Sequence, residues 1–512
     1  MTIPRTPSMS ETLDLVFRWN AGRTLVRTET ASHTGADVER ATRRIALALQ
    51  GLGVGAGDTV CLLGHNSYTY LCSYLAVQRL GAVPSALHTR ESPDSLARAM
   101  RHVGARVVLA DAGHVEQAEQ ALAAGAMDLT LVNIDSTGAG MHQLDALLVG
   151  NDSRPLPPVS LPEDAPAVIL LSSGSTGIPK AVVHTQRSMN AFASQARALF
   201  GDIGPQTRHL LILGTSFAAW TFTAIPVLCA GGCLSIRAGF EPEEFCRTIE
   251  ADRINHLATV PTLIRFLTPE ITSKYDLTSL RTVLCSGEAP QRSDLERIRS
   301  WSPETDFRCL YLASETGPAT ATLASRYDLT EGGKLGSAGR PLPFVDLKIV
   351  DPQGTLDDTL APGAIGEICL RGPSVAARYH AEPEKTAAKF VDGWWRSGDL
   401  GRLDSDGFLF FEGRADNMIN TGGIKVYSEE IEAVLLAHPE IEMAAVVGMP
   451  DPKWGNRIVA HVIARTPLDA EAVLAFCEEQ GLAGFKKPRE LHFHRELPLG
   501  PTGKINRNAL RG

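Results

Sequence analysis

The segment Leu170-Leu171-Ser172-Ser173-Gly174-Ser175-Thr176-Gly177-Ile178-Pro179-Lys180 concentrates residue types that handle anions. An apolar run enters a loop of hydroxyls and glycines, and a lysine closes it. Glycines let backbone N–H groups approach an anion closely. Hydroxyls donate to its oxygens, and the lysine supplies charge. The segment therefore predicts a phosphate cradle. It is not a Walker loop, which needs Gly-Lys-Ser/Thr opening a helix. Here Pro179 precedes Lys180 and Ala181 follows it. A second glycine pair, Gly51-x-Gly53, follows a helix-like run rather than a strand, so it predicts a helix stop and not a dinucleotide fingerprint. Among the nine cysteines only Cys229 and Cys233 lie close together, as C-x3-C without a matching His or Cys pair. That pattern predicts buried, reduced thiols rather than zinc.

A cradle of this kind needs a rigid scaffold. In Asp37 to Gln50, Val38, Ala41, Ile45 and Leu49 fall on one face, which predicts a helix stopped by Gly51 and Gly53. Thr59 to Leu63 reads as a short buried strand, and Tyr68 to Leu80 as a helix ended by Gly81. Arg106 to Ala110, Leu129 to Ile134, Ala167 to Leu171 and Arg208 to Leu213 are further short apolar runs. Strands alternating with helices predict an α/β fold with parallel or mixed sheets under covering helices. Asn151 to Asp164, rich in proline, reads as a loop. The last hundred or so residues predict a separate small α+β domain. There Ser428 is expected to cap a helix through His438, with Glu429 and Glu430 in its first turn. Glu442 to Gly448 and Ile458 to Ala464 read as strands, and Asp469 to Gln480 as a second helix.

The chain has 512 residues, enough for about three structural units at roughly 150 residues each. Hydrophobic residues make up 44% and charged residues 21%, which is ordinary globular composition. The formal net charge of −9 argues against broad binding to nucleic acid or anionic membranes. Met1 to Leu15 has no apolar core and predicts no signal peptide. Trp220 to Ile236 is interrupted by Pro226, Gly231 and Gly232, so it falls short of a membrane span. A cytoplasmic protein with free thiols is the expectation. The expected assembly is a monomer or a homodimer.

Further motifs follow the cradle in order. They are Ser286-Gly287-Glu288-Ala289-Pro290, Tyr311-Leu312-Ala313-Ser314-Glu315, Gly366-Glu367-Ile368 through Tyr379, Trp395-Arg396-Ser397-Gly398-Asp399, Gly413-Arg414-Ala415-Asp416 and Pro501-Thr502-Gly503-Lys504-Ile505-Asn506-Arg507. This ordered set resembles the adenylate-forming superfamily, in its acyl-CoA synthetase branch. The resemblance runs from about Asp37 to Arg507. It implies an N-terminal adenylation region, residues 1–413, containing subdomains and a small barrel-like part. It also implies a mobile C-terminal domain, residues 414–512, with a hinge near Asp416.

The resemblance implies a two-step reaction that uses ATP, Mg2+ and coenzyme A. A carboxylic acid becomes an acyl-adenylate, and the acyl group then passes to a thiol. It also implies the residue roles. Ser172, Ser173, Gly174, Ser175, Thr176, Gly177 and Lys180 would grip the β- and γ-phosphates. Glu315 and Thr176 would hold Mg2+. Ser314 would meet the α-phosphate, and Asp399 and Arg414 the ribose. Gly287, Glu288, Ala289 and Tyr311 would line the adenine site. Lys504 would be the catalytic lysine, with Glu315 beside it in the catalytic set. Gly422, Gly423 and Lys425 would be presented in the second pose, the glycines leaving room for the pantetheine arm of CoA.

Leu213 to Trp220 occupies the superfamily's acyl-pocket motif, so Phe217, Ala218, Trp220, Leu312 and Ala313 are expected to border the acyl group. Amino-acid-activating relatives place an Asp where this chain has Ala218. A buried unpaired ammonium is strongly disfavoured, so an apolar acid is expected. Trp220 could either close the pocket to long chains or pack the core. Two departures stand out: Leu312 replaces the usual glycine, and Phe217 replaces a frequent histidine. Leu312 is also compatible with an enzyme that performs only the thioester step on a preformed adenylate. Transfer to an acyl-carrier protein and a non-catalytic nucleotide-binding role are two rival readings of the same motifs.

Overall fold

The computed structural model describes residues 6–135, 142–150, 154–172, 179–201, 203–287, 291–321, 333–334, 336–421, 424–480, 482, 484–499 and 505–511. The chain divides into two compact units. One comprises Met1–Asp346 with Leu370–Trp395, and the other Leu347–Cys369 with Arg396–Gly512. The boundary expected after Gly413 lies inside the second of these.

The first unit is built on parallel sheets. Strands Val83–Ala86, Thr59–Leu63, Ala105–Ala110, Thr130–Asn133 and His142–Gln143 form one five-stranded sheet, parallel throughout. All five residues of Thr59–Leu63 are buried, as a strand covered on both faces requires. A second parallel run has the order Asp306–Ala313, Thr282–Cys285, His256–Thr259, Arg208–Leu211, Cys233–Ile236 and Thr24–Arg27. Antiparallel strands extend it at both ends, with Gly317–Ala321 beside Asp306–Ala313 and Ser32–Thr34 beside Thr24–Arg27. Pro166–Ser172, Lys180–Thr185 and Arg378–Tyr379 form a separate antiparallel sheet.

The expected first helix runs Gly35–Gly51, with the Thr34 hydroxyl accepting from the Asp37 N–H and the Asp37 carboxylate accepting from the Thr34 N–H. Two acceptors thus satisfy backbone donors that a helix start leaves open. Gly53 follows at φ 81°, a left-handed conformation suited to glycine, and the chain turns toward Thr59–Leu63. This is the helix stop that the spacing predicts. The strand expected over Arg208 to Leu213 ends at Leu211, and the next residues turn toward the helix Ala218–Cys229. All nine cysteines are free. Among the described residues no helix is long and apolar enough to cross a membrane.

In the second unit, Asp399–Leu403, the end of the strand Trp394–Leu403, pairs antiparallel with Leu409–Arg414. Met418–Thr421 and Ile424–Tyr427 form a hairpin. Ile441–Asp451, Gly455–Ala464 and Glu490–Phe493 form a three-stranded sheet against the helices Ser428–Leu436 and Ala470–Glu479. Ile419, Val426, Ile431, Val446, Ile458 and Val473 fill the core between them. The cap expected from Ser428 is not there. Tyr427 occupies the cap position without a side-chain bond, and Ser428 is the first helical residue. Its hydroxyl donates instead to the Asn417 carbonyl at 2.8 Å. The helix stops at Leu436, two residues short of His438. Asp469 does cap the later helix, accepting from the Ala472 N–H at 3.1 Å.

Candidate active site

In a parallel sheet, ligands gather beyond the carboxyl ends of the strands. Thr282–Cys285 and Asp306–Ala313 are neighbours in parallel register, with Cys285 opposite Cys309. The turns that follow them carry Ser286-Gly287 and Ser314-Glu315. The sheet therefore sets the expected adenine segment and the Tyr311–Glu315 motif at one edge of the first unit. Gly287 is exposed, and Glu288 and Ala289 lie outside the described residues. Tyr311 is buried, and Leu312, Ala313 and Ser314 are half-buried. The pairing with Gly317–Ala321 slips between Tyr311 and Leu312. Leu312 thus sits at an irregularity in the ladder, which aims neighbouring side chains differently from a regular strand.

Glu315 is only 7% exposed. The Tyr379 hydroxyl donates to its Oε1 at 2.8 Å. The Trp395 indole donates in turn to the Tyr379 oxygen at 3.4 Å. The Glu315 carbonyl accepts from the Ala376 N–H at 2.7 Å. Burial and the Glu315 carboxylate raise the Tyr379 phenol well above its ordinary range, so it stays protonated and donates. A buried carboxylate with a fixed orientation is a donor set suited to a hard cation such as Mg2+.

Ser314 is held from another side. His184 Nε2 lies 2.8 Å from the Ser314 carbonyl, and its Nδ1 lies 3.2 Å from the Ser188 hydroxyl. Burial lowers the His184 pKa to about 4, so the ring is neutral at pH 7. The Nε2 proton is assigned because its partner is a carbonyl, which can only accept.

The phosphate segment is described at its two ends. Ser172 and Lys180 face each other in the antiparallel pair, and both are half-buried. Ser173, Gly174, Ser175, Thr176 and Gly177 lie outside the described residues.

The acyl segment follows the strand Arg208–Leu211 in the same parallel run. Phe217 is 38% exposed and meets the His88 ring edge-on at 5.6 Å. Ala218 opens the helix Ala218–Cys229. Trp220 is 1% exposed and lies edge-on to Tyr70 and Tyr74, at 6.0 and 5.0 Å. Its indole donates to Asn66 Oδ1 at 2.6 Å, and the Asn66 amide donates to the Leu213 carbonyl at 2.7 Å. Trp220 is thus a core residue that ties the acyl segment to the turn at Asn66.

The second unit carries the expected ribose pair. Asp399 and Arg414 are register partners, with Arg414 Nη1 3.1 Å from Asp399 Oδ1. Asp399 is 8% exposed. The Ser397 hydroxyl donates to the Ile368 carbonyl at 2.6 Å and accepts from the Asp399 N–H at 2.9 Å. Glu367 accepts from the Gly398 N–H at 2.9 Å and pairs with Arg396. Asp416 lies in the 3-10 turn Ala415–Asn417, and Lys425 in the strand Ile424–Tyr427. Gly422, Gly423 and Lys504 lie outside the described residues. The chain just after Lys504 is anchored within the unit. Arg507 Nη2 donates to both Glu432 oxygens, at 2.8 and 2.6 Å, and the Asn506 N–H donates to the Pro498 carbonyl at 2.7 Å.

Residues 16–380 match the AMP-binding enzyme family, and residues 430–504 match the AMP-binding enzyme C-terminal domain. The chain belongs to the AMP-binding enzyme family. As an AMP-binding enzyme it is a member of the adenylate-forming superfamily, as the motif order implies. Its relatives include a feruloyl-CoA synthase from an Amycolatopsis species, 33% identical over 508 residues and 96% of each chain. An indoleacetate–CoA ligase from Aromatoleum aromaticum is 32% identical over 511 residues, 98% of this chain and 97% of the relative. Among solved structures, the amide bond synthetase McbA from Marinactinospora thermotolerans superposes with a TM-score of 0.87 at 28% identity, covering 98% of this chain and 99% of that one.

In this AMP-binding enzyme, the tasks of the residues that orient the motif residues are not visible in the motifs: Tyr379 and Glu367 stand in one motif but serve others, and His184 and Glu432 lie outside them. Tyr379 closes a motif without any local sign of its task, and it holds Glu315 from 64 positions away. His184 holds Ser314 from 130 positions away. Glu367 steadies the Ser397–Asp399 turn, and Glu432 receives Arg507. A histidine inside a run of apolar strand residues, Ala181-Val182-Val183-His184, is the sequence signal for the second of these.

Proposed function

We propose that this chain is an ATP-dependent, AMP-forming acid–CoA ligase acting on an apolar carboxylic acid. The observation that carries the reading is the buried Glu315, held by Tyr379 within the ordered motif set. Identity of 33% over 96% of a feruloyl-CoA synthase supports the reaction class.

In the first step a carboxylate oxygen of the acid bonds to the α-phosphorus of ATP, and pyrophosphate leaves. Ser172 to Lys180 bind the β- and γ-phosphates, and Ser314 meets the α-phosphate. Glu315 and Thr176 hold Mg2+, which neutralises phosphate charge when bound. Gly287, Glu288, Ala289 and Tyr311 seat the adenine, and Asp399 and Arg414 seat the ribose. The Lys504 ammonium stabilises the charge that develops at the α-phosphate, a contribution on the order of 10²–10³ in rate. In the second step the CoA sulfur, as thiolate, bonds to the acyl carbon and AMP leaves. The Gly422-Gly423-Ile424-Lys425 segment attends this step, with Asp416 as the pivot between the two. A division into residues 1–413 and 414–512 belongs to the same proposal.

Phe217 and Ala218 favour an apolar acyl or aryl group, because neither supplies a carboxylate to pair an ammonium. The likeness to an amide bond synthetase supports a second reading, in which an amine rather than CoA receives the acyl group. The test is a panel of aryl and aliphatic acids with ATP and Mg2+, offered CoA or a primary amine and scored by mass. Acyl-CoA from an apolar acid supports the first reading. Amide product with no thioester favours the second, and no product from any acid overturns both.

A further inference from the structure

Three side chains outside the adenylation motifs converge beyond the carboxyl ends of the five-stranded parallel sheet. Thr59–Leu63 and Ala105–Ala110 are adjacent there, with Leu63 opposite Ala110. His65 follows the first strand by two residues and Asp111 follows the second by one. His114 sits at the start of the helix Val115–Ala124. One ligand atom from each of His65, Asp111 and His114 lies within 4.8 Å of the others.

The backbone builds this arrangement. The His65 N–H donates to Asp111 Oδ2 at 2.8 Å. The His114 N–H donates to the Asp111 carbonyl at 3.0 Å, closing a turn that brings the two side chains together. A Cβ on Gly64 would lie 2.7 Å from Asp111 Oδ2, so the glycine permits this close approach. His114 Nδ1 stands 2.5 Å from Asp111 Oδ1, and His65 Nδ1 stands 3.9 Å from Asp111 Oδ2. The two imidazole rings are 4.7 Å apart. The His114 and Asp111 side chains are each 12% exposed, whereas His65 is 60% exposed and leaves one side open to solvent.

We propose that His65, Asp111 and His114 bind a late first-row divalent metal ion such as Zn2+. Two imidazoles and one carboxylate suit Zn2+, Co2+ or Ni2+ better than Mg2+ or Ca2+, which prefer all-oxygen shells. Tetrahedral ligation at about 2.0–2.1 Å separates donor atoms by about 3.3 Å. Here His114 Nδ1 is 2.5 Å from one Asp111 oxygen and His65 Nδ1 is 3.9 Å from the other, and one ligand atom from each residue lies within 4.8 Å of the others. Movement of the two rings toward a common Asp111 oxygen completes the site, with water in the fourth position. The ion takes the place of the hydrogen bond between His114 Nδ1 and Asp111 Oδ1. The site is also joined to the acyl segment. The Thr215 hydroxyl donates to the Gly64 carbonyl at 2.7 Å, and Asn66 reaches the Leu213 carbonyl. A bound ion stiffens the turn that supports that segment.

The test is a Co2+ titration of untagged full-length protein, followed by its visible ligand-field absorption, with Zn2+ as competitor. The expected result is saturation near one equivalent at this site. Binding should weaken at least about tenfold in His65→Ala and in His114→Ala, and be unchanged in His492→Ala. The last variant controls for the separate cluster in which His461 and His494 are 2.9 Å apart and His492 stacks on His461. Saturating Zn2+ should raise the melting temperature of the wild type and not of His65→Ala. His65 is exposed, so that variant keeps the fold testable. Absence of saturable binding, binding indifferent to both alanine variants, or binding lost with His492→Ala would each overturn the proposal.

Discussion

Removing one oxygen atom, in Tyr379→Phe, tests how Glu315 is held. The phenol donates to Glu315 Oε1 at 2.8 Å and accepts from the Trp395 indole at 3.4 Å. Glu315 is 7% exposed, so water does not readily replace the lost donor. A hydrogen bond to a charged acceptor contributes about 1.5–3 kcal/mol. If the carboxylate's orientation matters for adenylation, that range converts to a loss of roughly 10–150-fold in kcat/KM, since about 1.4 kcal/mol is a factor of ten. The ring is retained, so packing against Phe390, now 5.4 Å from centroid to centroid, survives. The assay is pyrophosphate release from acid, ATP and Mg2+, paired with thioester formation from a supplied acyl-adenylate. The first should fall and the apparent KM for Mg2+ rise, while the second stays within about twofold. Adenylation within threefold of wild type, in a variant with an unchanged circular dichroism spectrum, would refute the assignment of Tyr379 as a positioning residue.

Three other outcomes follow from the geometry. His184 titrates near 4 in the fold against an ordinary 6.5. The unfolded chain binds the extra proton first, so stability contributed by the neutral ring is complete above pH 6.5 and is lost as pH falls toward 4. The loss is on the order of 3 kcal/mol for this group, and His184→Gln should flatten that part of the denaturation profile; an unchanged slope contradicts it. Trp220→Phe leaves Asn66 Oδ1 without its indole donor and should cost about 1–3 kcal/mol in urea unfolding; unchanged stability with a widened range of acyl-chain lengths would instead mark Trp220 as a pocket wall. Enzyme, acid, ATP and Mg2+ without CoA should release pyrophosphate, and Leu312→Gly should not be needed for it. Release only in Leu312→Gly would make the natural enzyme a thioester-forming one.

Much of this architecture could be read from periodicity. Buried strands such as Thr59–Leu63 announce themselves as short apolar runs, and the helix Gly35–Gly51 as a one-sided stripe. The family was legible because its motifs concentrate glycines, hydroxyls and charges at turns. The hidden part consists of contacts between distant positions. Nothing local to Tyr379 or His184 shows that they support Glu315 and Ser314. The Ser428 cap failed for a related reason: a serine before two glutamates matches a helix start, but the nearby Asn417 carbonyl claims its hydroxyl. Trp220 shows the converse. Its sequence position fits both a pocket wall and a core residue, and the structure adds the packing contacts, an indole bond to Asn66 and two flanking tyrosines.

The proposed AMP-forming activation of an apolar acid, followed by transfer to CoA, fixes a distinct set of products. The most direct measurement is product stoichiometry from the best acid in the panel, with Lys504→Ala alongside. Acyl-CoA, AMP and pyrophosphate are expected in equal amounts. Lys504→Ala is expected to lose adenylation by about 10²-fold or more and still convert supplied acyl-adenylate to thioester. ADP and phosphate as products, or equal loss of both half-reactions in Lys504→Ala, would contradict it.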